Sequence, residues 1–121
     1  MDKKVLEDRT KRFSLNLIRF LESLPKNYLG EAMGRQLLRS GTSVGADCRE
    51  ANRAESKADF IHKLAIAEKE ASETVYWLEL MTEAGIGNRS EVAKLLQEAG
   101  ELLAIFTAAG RTSRGLRKLS F

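Results

Sequence analysis

Two amphipathic helical patterns meet at a single capping signal in the middle of the chain, and this junction limits the fold more than any other feature. Ser56 and Asp59 form a Ser-x-x-Asp near-match to the capping box, in which Asp replaces the usual Glu. The signal predicts that one long helix ends before residue 56 and that another begins directly after it. A junction this short makes consecutive helices antiparallel neighbours.

Apolar residues recur at helical spacing in four segments of the chain. Pro25 ends the first segment because the residue before a proline is pushed out of helical geometry. Asn27 and Asn88 are candidate N-caps, while Gly85 and Gly110 are candidate helix ends. The predicted helices cover residues 4–24, about 28–54, about 57–84 and about 88–109.

One apolar face for each helix and short connections predict an all-α fold, an up-down-up-down antiparallel four-helix bundle over residues 1–110. The remaining residues, 111–121, are basic and broken by glycine, and they are predicted to form a flexible tail. The predicted core faces contain Leu6, Thr10, Phe13, Leu17, Phe20, Leu21 and Leu24, then Met33, Leu37, Val44, Cys48 and Ala51, then Phe60, Leu64, Ala67, Ala71, Thr74, Val75 and Leu78, and finally Val92, Leu95, Leu96, Ala99, Leu102, Leu103 and Phe106.

Three glycines fall in one sector of the second helix: Gly34, Gly41 and Gly45. Each costs a helix roughly 1 kcal/mol relative to alanine, so a loop at residues 40–43 is one interpretation. The other is a continuous helix whose glycines let a neighbouring helix approach closely. Because the apolar sector and a row of arginines stay in phase across the glycines, we predict the continuous helix.

Composition and motifs argue against an enzyme, a metal site and a membrane protein. The formal net charge of +3 permits contact with nucleic acid without demanding it. His62 is the only histidine, so the Glu-x-x-His pairs of a di-iron bundle are missing, and Cys48 lies on a predicted core face. We therefore expect no cofactor, no small-molecule substrate and, in the absence of a signal peptide or an apolar membrane segment, a cytoplasmic protein.

The arginines of the second helix have two interpretations. They form a stripe opposite the core face, and the predicted tail adds further cations, so one hypothesis is a surface that binds RNA or DNA. The alternative is a solvated or ion-paired face whose acidic partners include Glu70 and Glu73. The candidate nucleic-acid-binding residues are Arg35, Arg39, Arg49, Arg53, Arg111, Arg114, Arg117 and Lys118.

The third helix carries apolar residues on a second face, opposite its core stripe. A helix in a small bundle needs only one buried stripe, so this second face is a candidate contact between subunits. The candidate interface residues, together with the neighbouring glycines and acids, are Gly41, Gly45, Ile66, Glu70, Glu73, Trp77 and Leu80.

The central part of the chain resembles a known family. The resemblance rests on the run from Arg39 to Ala46, on Arg49-Glu50-Ala51, and on the third-helix segments Asp59–Ile61, Lys63–Ala67, Lys69-Glu70 and Glu73–Leu78. It points to the bacterial four-helix-bundle proteins that are named for reading frames in intervening sequences of large-subunit ribosomal RNA genes. A related branch, the accessory variability proteins of diversity-generating retroelements, binds nucleic acid and a reverse transcriptase.

The resemblance implies a four-helix subunit that assembles into a ring-like homopentamer. Two function classes follow from it. The first is a non-enzymatic oligomer that binds nucleic acid or a ribonucleoprotein partner through a basic surface. The second is a structural or protein-interaction oligomer without affinity for nucleic acid.

Overall fold

The computed structural model describes residues 2–115, and the described part of the chain is all-helical. The four helices are α1 (Lys3–Glu22), α2 (Tyr28–Asn52), α3 (Lys57–Ala84) and α4 (Arg89–Ser113). The four predicted helices are therefore confirmed. The first two end about two residues earlier than expected, and the last ends later.

The helix ends are formed by the residues that the sequence indicates. Asn27, Ser56 and Asn88 are N-caps, and the side-chain oxygen of each accepts a hydrogen bond from the backbone N–H three residues later. Gly85 ends α3 with a φ of +69°, a left-handed conformation that glycine adopts without a steric penalty. Asp2 caps α1 in the same way, through the N–H of Lys4.

The helices form a closed square, in which each one packs against two neighbours: α1 against α2 and α4, and α3 against α2 and α4. The predicted core faces turn inward, and most of their residues are buried. Met81, three residues after Leu78, also joins the core, although the predicted core face ends at Leu78. The α1–α2 edge and the α3–α4 edge consequently lie on opposite sides of the bundle.

The glycines of α2 lie in a continuous helix, as predicted, and they face α1 of the same chain. A Cβ added to Gly41 would overlap Leu17 Cδ2, and one added to Gly45 would lie 3.3 Å from Thr10 Oγ1. The glycines therefore allow α1 and α2 to approach closely. This contact accounts for their spacing within one subunit, without a second copy of the chain.

One predicted helix end is wrong. Gly110 was expected to close the fourth helix, but it is buried inside α4, which continues to Ser113. An isolated glycine lowers helix propensity without ending a helix, and here the backbone N–H of Arg114 still donates to the carbonyl oxygen of Gly110. Arg111 is thus a helical residue, so the boundary between bundle and tail does not fall at residue 110.

Candidate functional site

The central residue of the arginine stripe is held by two acids of the same chain. Arg39 Nη1 on α2 lies 3.2 Å from both carboxylate oxygens of Glu70 on α3, and its Nη2 donates to Glu73. Trp77 Nε1 donates to the same Glu73 carboxylate at 3.1 Å. This network connects α2 to α3 across their outer seam. It corresponds to the ion-paired interpretation of Arg39.

The network changes the protonation equilibria of its members. The hydrogen bond from Trp77, followed by that from Arg39, holds the pKa of Glu73 below its usual value. The hydrogen bond to Glu73, together with the charge of Glu70, raises the pKa of Arg39. Both shifts favour the charged forms, as expected of an ion pair.

Arg49 and Arg53 lie at the other end of α2, beside a hollow of about 480 Å³ between α1 and α2. Lys11 lies in the opposite wall of this hollow, and Gly45 lies in its lining. Arg49 approaches Glu7 only to 3.7 Å, whereas the side-chain amide of Asn52 donates to Glu7 at 2.7 Å. Arg49 is half exposed, so its guanidinium remains largely available to a ligand.

The other candidate cations are scattered. Arg35 on α2 and Arg53, the C-cap of α2, are exposed, and neither has an acidic partner within 4.0 Å among residues 2–115. Arg111 and Arg114 are exposed at the far end of α4, and the Arg114 side chain lies against Gly110. Arg117 and Lys118 lie outside the described residues. Within residues 2–115, the structure therefore does not gather the six described candidate cations into one continuous surface.

The second apolar face of α3 is largely covered within the chain. Trp77 packs against the bundle core, and Ile66, Trp77 and Leu80 are all half-buried. The exposed aromatic ring next to them is Tyr76, which meets Trp77 edge-on with its ring centroid 5.2 Å away. Large exposed apolar residues occur instead on α1 and α2. A role for the α3 residues in a contact between subunits stays a prediction.

Charge is divided unevenly between the two halves of the bundle, a feature that no sequence motif indicates. Residues 3–53, which include α1 and α2, contain eleven Lys and Arg against six Asp and Glu, a net charge of +5. Residues 57–113, which include α3 and α4, contain six Lys and Arg against nine Asp and Glu, a net charge of −3. A count by segments of the sequence would have found this asymmetry.

A second missed feature is an ion-pair clamp between α1 and α4. Arg9 Nε and Nη2 donate to the two carboxylate oxygens of Glu98 at 2.7 and 2.6 Å, and Nη2 also lies 2.8 Å from Glu101. These hydrogen bonds raise the pKa of Arg9 further. Like Arg39, Arg9 connects the basic half of the bundle to the acidic half.

The described part of the chain shows neither a cluster of metal ligands nor an activated thiol. Among residues 2–115, no three His, Cys, Asp or Glu side chains are grouped so that they could hold a metal ion. Cys48 is buried, and desolvation raises the pKa of its thiol to about 11, which disfavours the reactive thiolate. None of the four helices combines the length and the apolar character that a membrane crossing requires.

Comparisons with known proteins agree on one family. A model of the 23S rRNA-intervening sequence protein family matches residues 3–108. A solved structure from Bacteroides thetaiotaomicron VPI-5482, described as a protein with unknown function from the S23 ribosomal protein family, has a TM-score of 0.80 and 35% identity to this chain. The alignment covers 92% of this chain and 99% of that one. A comparison with curated proteins found no match.

Together, the four-helix fold and the match over nearly the whole of the bundle confirm the resemblance found in the central segment. The chain therefore belongs to the family of 23S rRNA-intervening sequence proteins.

Proposed function

We propose that this protein is a non-enzymatic subunit of a ring-like homo-oligomer, with five copies as the resemblance implies, and that it binds nucleic acid through its α1–α2 half. The observation that supports the proposal most directly is the net charge of +5 on that half against −3 on the other. A ring repeats this charge in every copy. Polyanion binding depends on such repeated cations because each neutralised phosphate releases condensed counterions.

We expect nucleic acid to contact the basic end of the α1–α2 half. Lys11, Arg49 and Arg53 line its hollow together with Glu7 and Glu50, and the hydrogen bond from Asn52 occupies one oxygen of Glu7. Arg35 extends the row of cations along α2. We exclude Arg39 from this surface because Glu70 and Glu73 already occupy its guanidinium.

The second candidate function is an oligomer without affinity for nucleic acid. The pairing of Arg39 favours it, since the central arginine of the stripe contributes to the α2–α3 seam and not to a free cationic surface. If Arg49 and Arg53 found acidic partners in a neighbouring subunit, the whole stripe would be structural. Direct measurement of binding separates the two candidates.

The test compares two substitutions that each remove one positive charge, one at the C-cap of α2 and one within the helix. Fluorescence anisotropy of a labelled single-stranded RNA and a labelled DNA duplex is recorded between low and moderate salt with the parent, Arg53→Gln and Arg39→Gln. We expect Arg53→Gln to weaken binding equally for different sequences and to reduce the salt slope by about 1. Arg39→Gln should lower thermal stability but leave the salt slope close to that of the parent.

The opposite results decide against the proposal. A parent that binds neither probe even at low salt would establish the structural alternative. If the two variants are both folded and lose binding equally, Arg39 contacts nucleic acid in spite of its ion pairs. All the arginines of the stripe would then contribute to binding.

A further inference from the structure

Three large apolar side chains are exposed together on the α1–α2 half. Leu15, Ile18 and Leu38 have 46%, 39% and 42% of their surface exposed, although each lies in the middle of a well-packed helix. Isolated exposed apolar residues are common, but a group of bulky ones on one side of a bundle is typical of a contact surface. We call these three residues the apolar patch.

The register between α1 and α2 brings the patch together. Gly41 faces Leu17, and Gly34 faces Leu21, so Leu38 on α2 is level with the segment of α1 that contains Ile18. Ser14 and Leu21 both line hollows against α2, and Ile18 lies between them at helical spacing, four residues after one and three before the other. Leu15 precedes Ile18 by three residues and therefore lies beside it.

The opposite side of the bundle carries a surface of the complementary shape. A hollow of about 520 Å³ lies on the outside of α4, lined by Gly100, Leu103, Ala104, Thr107, Ala108, Arg111 and Thr112. Its central side chains are small, and Gly100, Ala104 and Ala108 are exposed. The hydroxyl of Thr107 donates to Glu68 on α3, which places the hollow on the α3 side of α4.

The two halves of the bundle that carry these surfaces also have net charges of opposite sign. Near the patch on the two helices lie Lys11, Arg12, Arg19 and Arg35 against Glu22 and Glu31. Beside the hollow, the carboxylate of Glu68 accepts a hydrogen bond from Thr107, and Arg111 lies in the lining. The two halves as a whole carry +5 and −3, so the basic half of one copy attracts the acidic half of another.

We propose that the apolar patch of one copy docks into the α4 hollow of a second copy, so that the subunits associate head to tail. This inference rests on the assembly that the proposed function includes, and it names the two faces that meet. Because patch and hollow lie on opposite edges of one bundle, they do not form a two-fold contact. Such an interface builds a ring when the rotation between subunits closes.

Docking at the patch leaves the basic end of α2 free. Along that helix, Arg49 and Arg53 follow Leu38 by roughly three and four turns. The nucleic-acid surface and the contact between copies are therefore neighbours on one half of the bundle, with Lys11 and Arg35 at their border and Arg49 and Arg53 left to the nucleic acid. This separation allows the two proposals to be tested independently.

The test uses substitutions of exposed residues by glutamate. Leu38→Glu disables the patch and Ala104→Glu disables the hollow, because each places a carboxylate in a contact that becomes desolvated on docking. Val5→Glu on α1 and Ala65→Glu on α3 are matched controls outside both surfaces. Circular dichroism verifies that each variant is folded, and light scattering after size exclusion gives its mass relative to the 13.5 kDa chain.

We expect the parent and both controls to assemble, and each of the two interface variants to remain a 13.5 kDa monomer when alone. An equimolar mixture of the two variants should form a species of two chains, since the intact patch of Ala104→Glu fits the intact hollow of Leu38→Glu. The other two faces of that pair, the mutated patch and the mutated hollow, each carry a glutamate. They therefore do not bind a further chain. Ile18→Glu, mixed in place of Leu38→Glu, should repeat the result from the α1 side of the patch.

Three outcomes would overturn the inference. If the interface variants assemble like the parent, the oligomer forms through surfaces other than the patch and the hollow. Variants that are monomeric alone and also when mixed would show that the intact patch does not dock into the intact hollow. A parent that is monomeric at micromolar concentration would refute both this docking and the assembly in the proposed function.

Discussion

Ser40 of α2 and Thr74 of α3 are completely buried, and their hydroxyl oxygens lie 2.9 Å apart across the helix interface. Thr74 Oγ1 also lies 2.8 Å from the carbonyl oxygen of Glu70, one turn earlier in α3. Buried polar groups of this kind contribute little net stability when satisfied but cost much when one partner is removed. The pair thus fixes the register of α2 against α3, directly beneath the ion pairs of Arg39.

This relationship predicts an asymmetric mutant cycle. Ser40→Ala leaves Thr74 bonded to the Glu70 carbonyl and should lower the free energy of unfolding by about 1 kcal/mol. Thr74→Val leaves the Ser40 hydroxyl without that partner in the core and should cost about 1–3 kcal/mol. The double variant should lose less than the sum in urea denaturation. Strict additivity would mean that the two hydroxyls are not coupled.

The clamp between α1 and α4 predicts a specific loss of stability. Arg9→Gln removes the hydrogen bonds to Glu98 and Glu101 and should cost about 1–2 kcal/mol in thermal or urea denaturation. Arg12→Gln, an exposed change of the same charge on the same helix, should be nearly neutral. Equal effects of the two variants would mean that the clamp contributes no more than general charge balance.

The ion pairs of Arg39 predict a dependence on pH. The pKa of Glu73 is lowered in the fold, so its contribution to stability is complete above its ordinary value of 4.5 and is lost as the pH falls through the lowered pKa. Arg39→Gln should therefore lower the melting temperature at pH 7 and have progressively less effect below pH 4.5. Arg35→Gln is the control on the same helix. A deficit that is constant from pH 7 to pH 2 would contradict the electrostatic origin.

The carboxyl group of Asp47 predicts a dependence of stability on pH that is opposite in sign to that of Glu73. Burial, followed by the charges of Glu70 and Glu50, raises the pKa of Asp47 above its ordinary value of 3.8. Its ionised form therefore destabilises the fold at neutral pH, and the penalty disappears below pH 3.8, where the carboxyl is protonated in both states. Asp47→Asn should raise the melting temperature at pH 7 and leave it unchanged near pH 3. Asp8→Asn, which removes a surface ion pair to Lys4, should produce no such gain.

Replacing either of two glycines in helix interiors by alanine should change the free energy of unfolding, with opposite signs at the two positions. Gly100 is exposed on α4 with no atom within 4 Å of an added Cβ, so Gly100→Ala should stabilise by about 0.5–1 kcal/mol through helix propensity. Gly41→Ala would drive a methyl group into buried Leu17 and should destabilise by about 1–3 kcal/mol. Urea denaturation measures both changes. A stabilised Gly41→Ala would show that α1 can move away without loss.

The sequence alone determined the helices and the faces that they bury. Apolar spacing located all four helices because burial of one stripe is the main requirement for a helix in a small bundle. The N-caps at Asn27, Ser56 and Asn88 were equally readable, since capping depends on residues only three positions apart. The end of α4 was misplaced because glycine is a weak stop signal unless the backbone adopts a positive φ, as it does at Gly85 but not at Gly110.

Only the tertiary structure decided which partner each surface residue has. Sequence periodicity places Arg39 on an outer face but does not distinguish a free cation from one that lies between Glu70 and Glu73, more than thirty residues away. It placed Trp77 opposite the core stripe, although its large ring reaches back to the bundle core. It likewise gave no sign that Arg9 meets Glu98, because the pairing depends on the closure of α1 against α4. Local spacing fixes the face of a helix, whereas ion pairs and exposed patches depend on the register between helices that are distant in the chain.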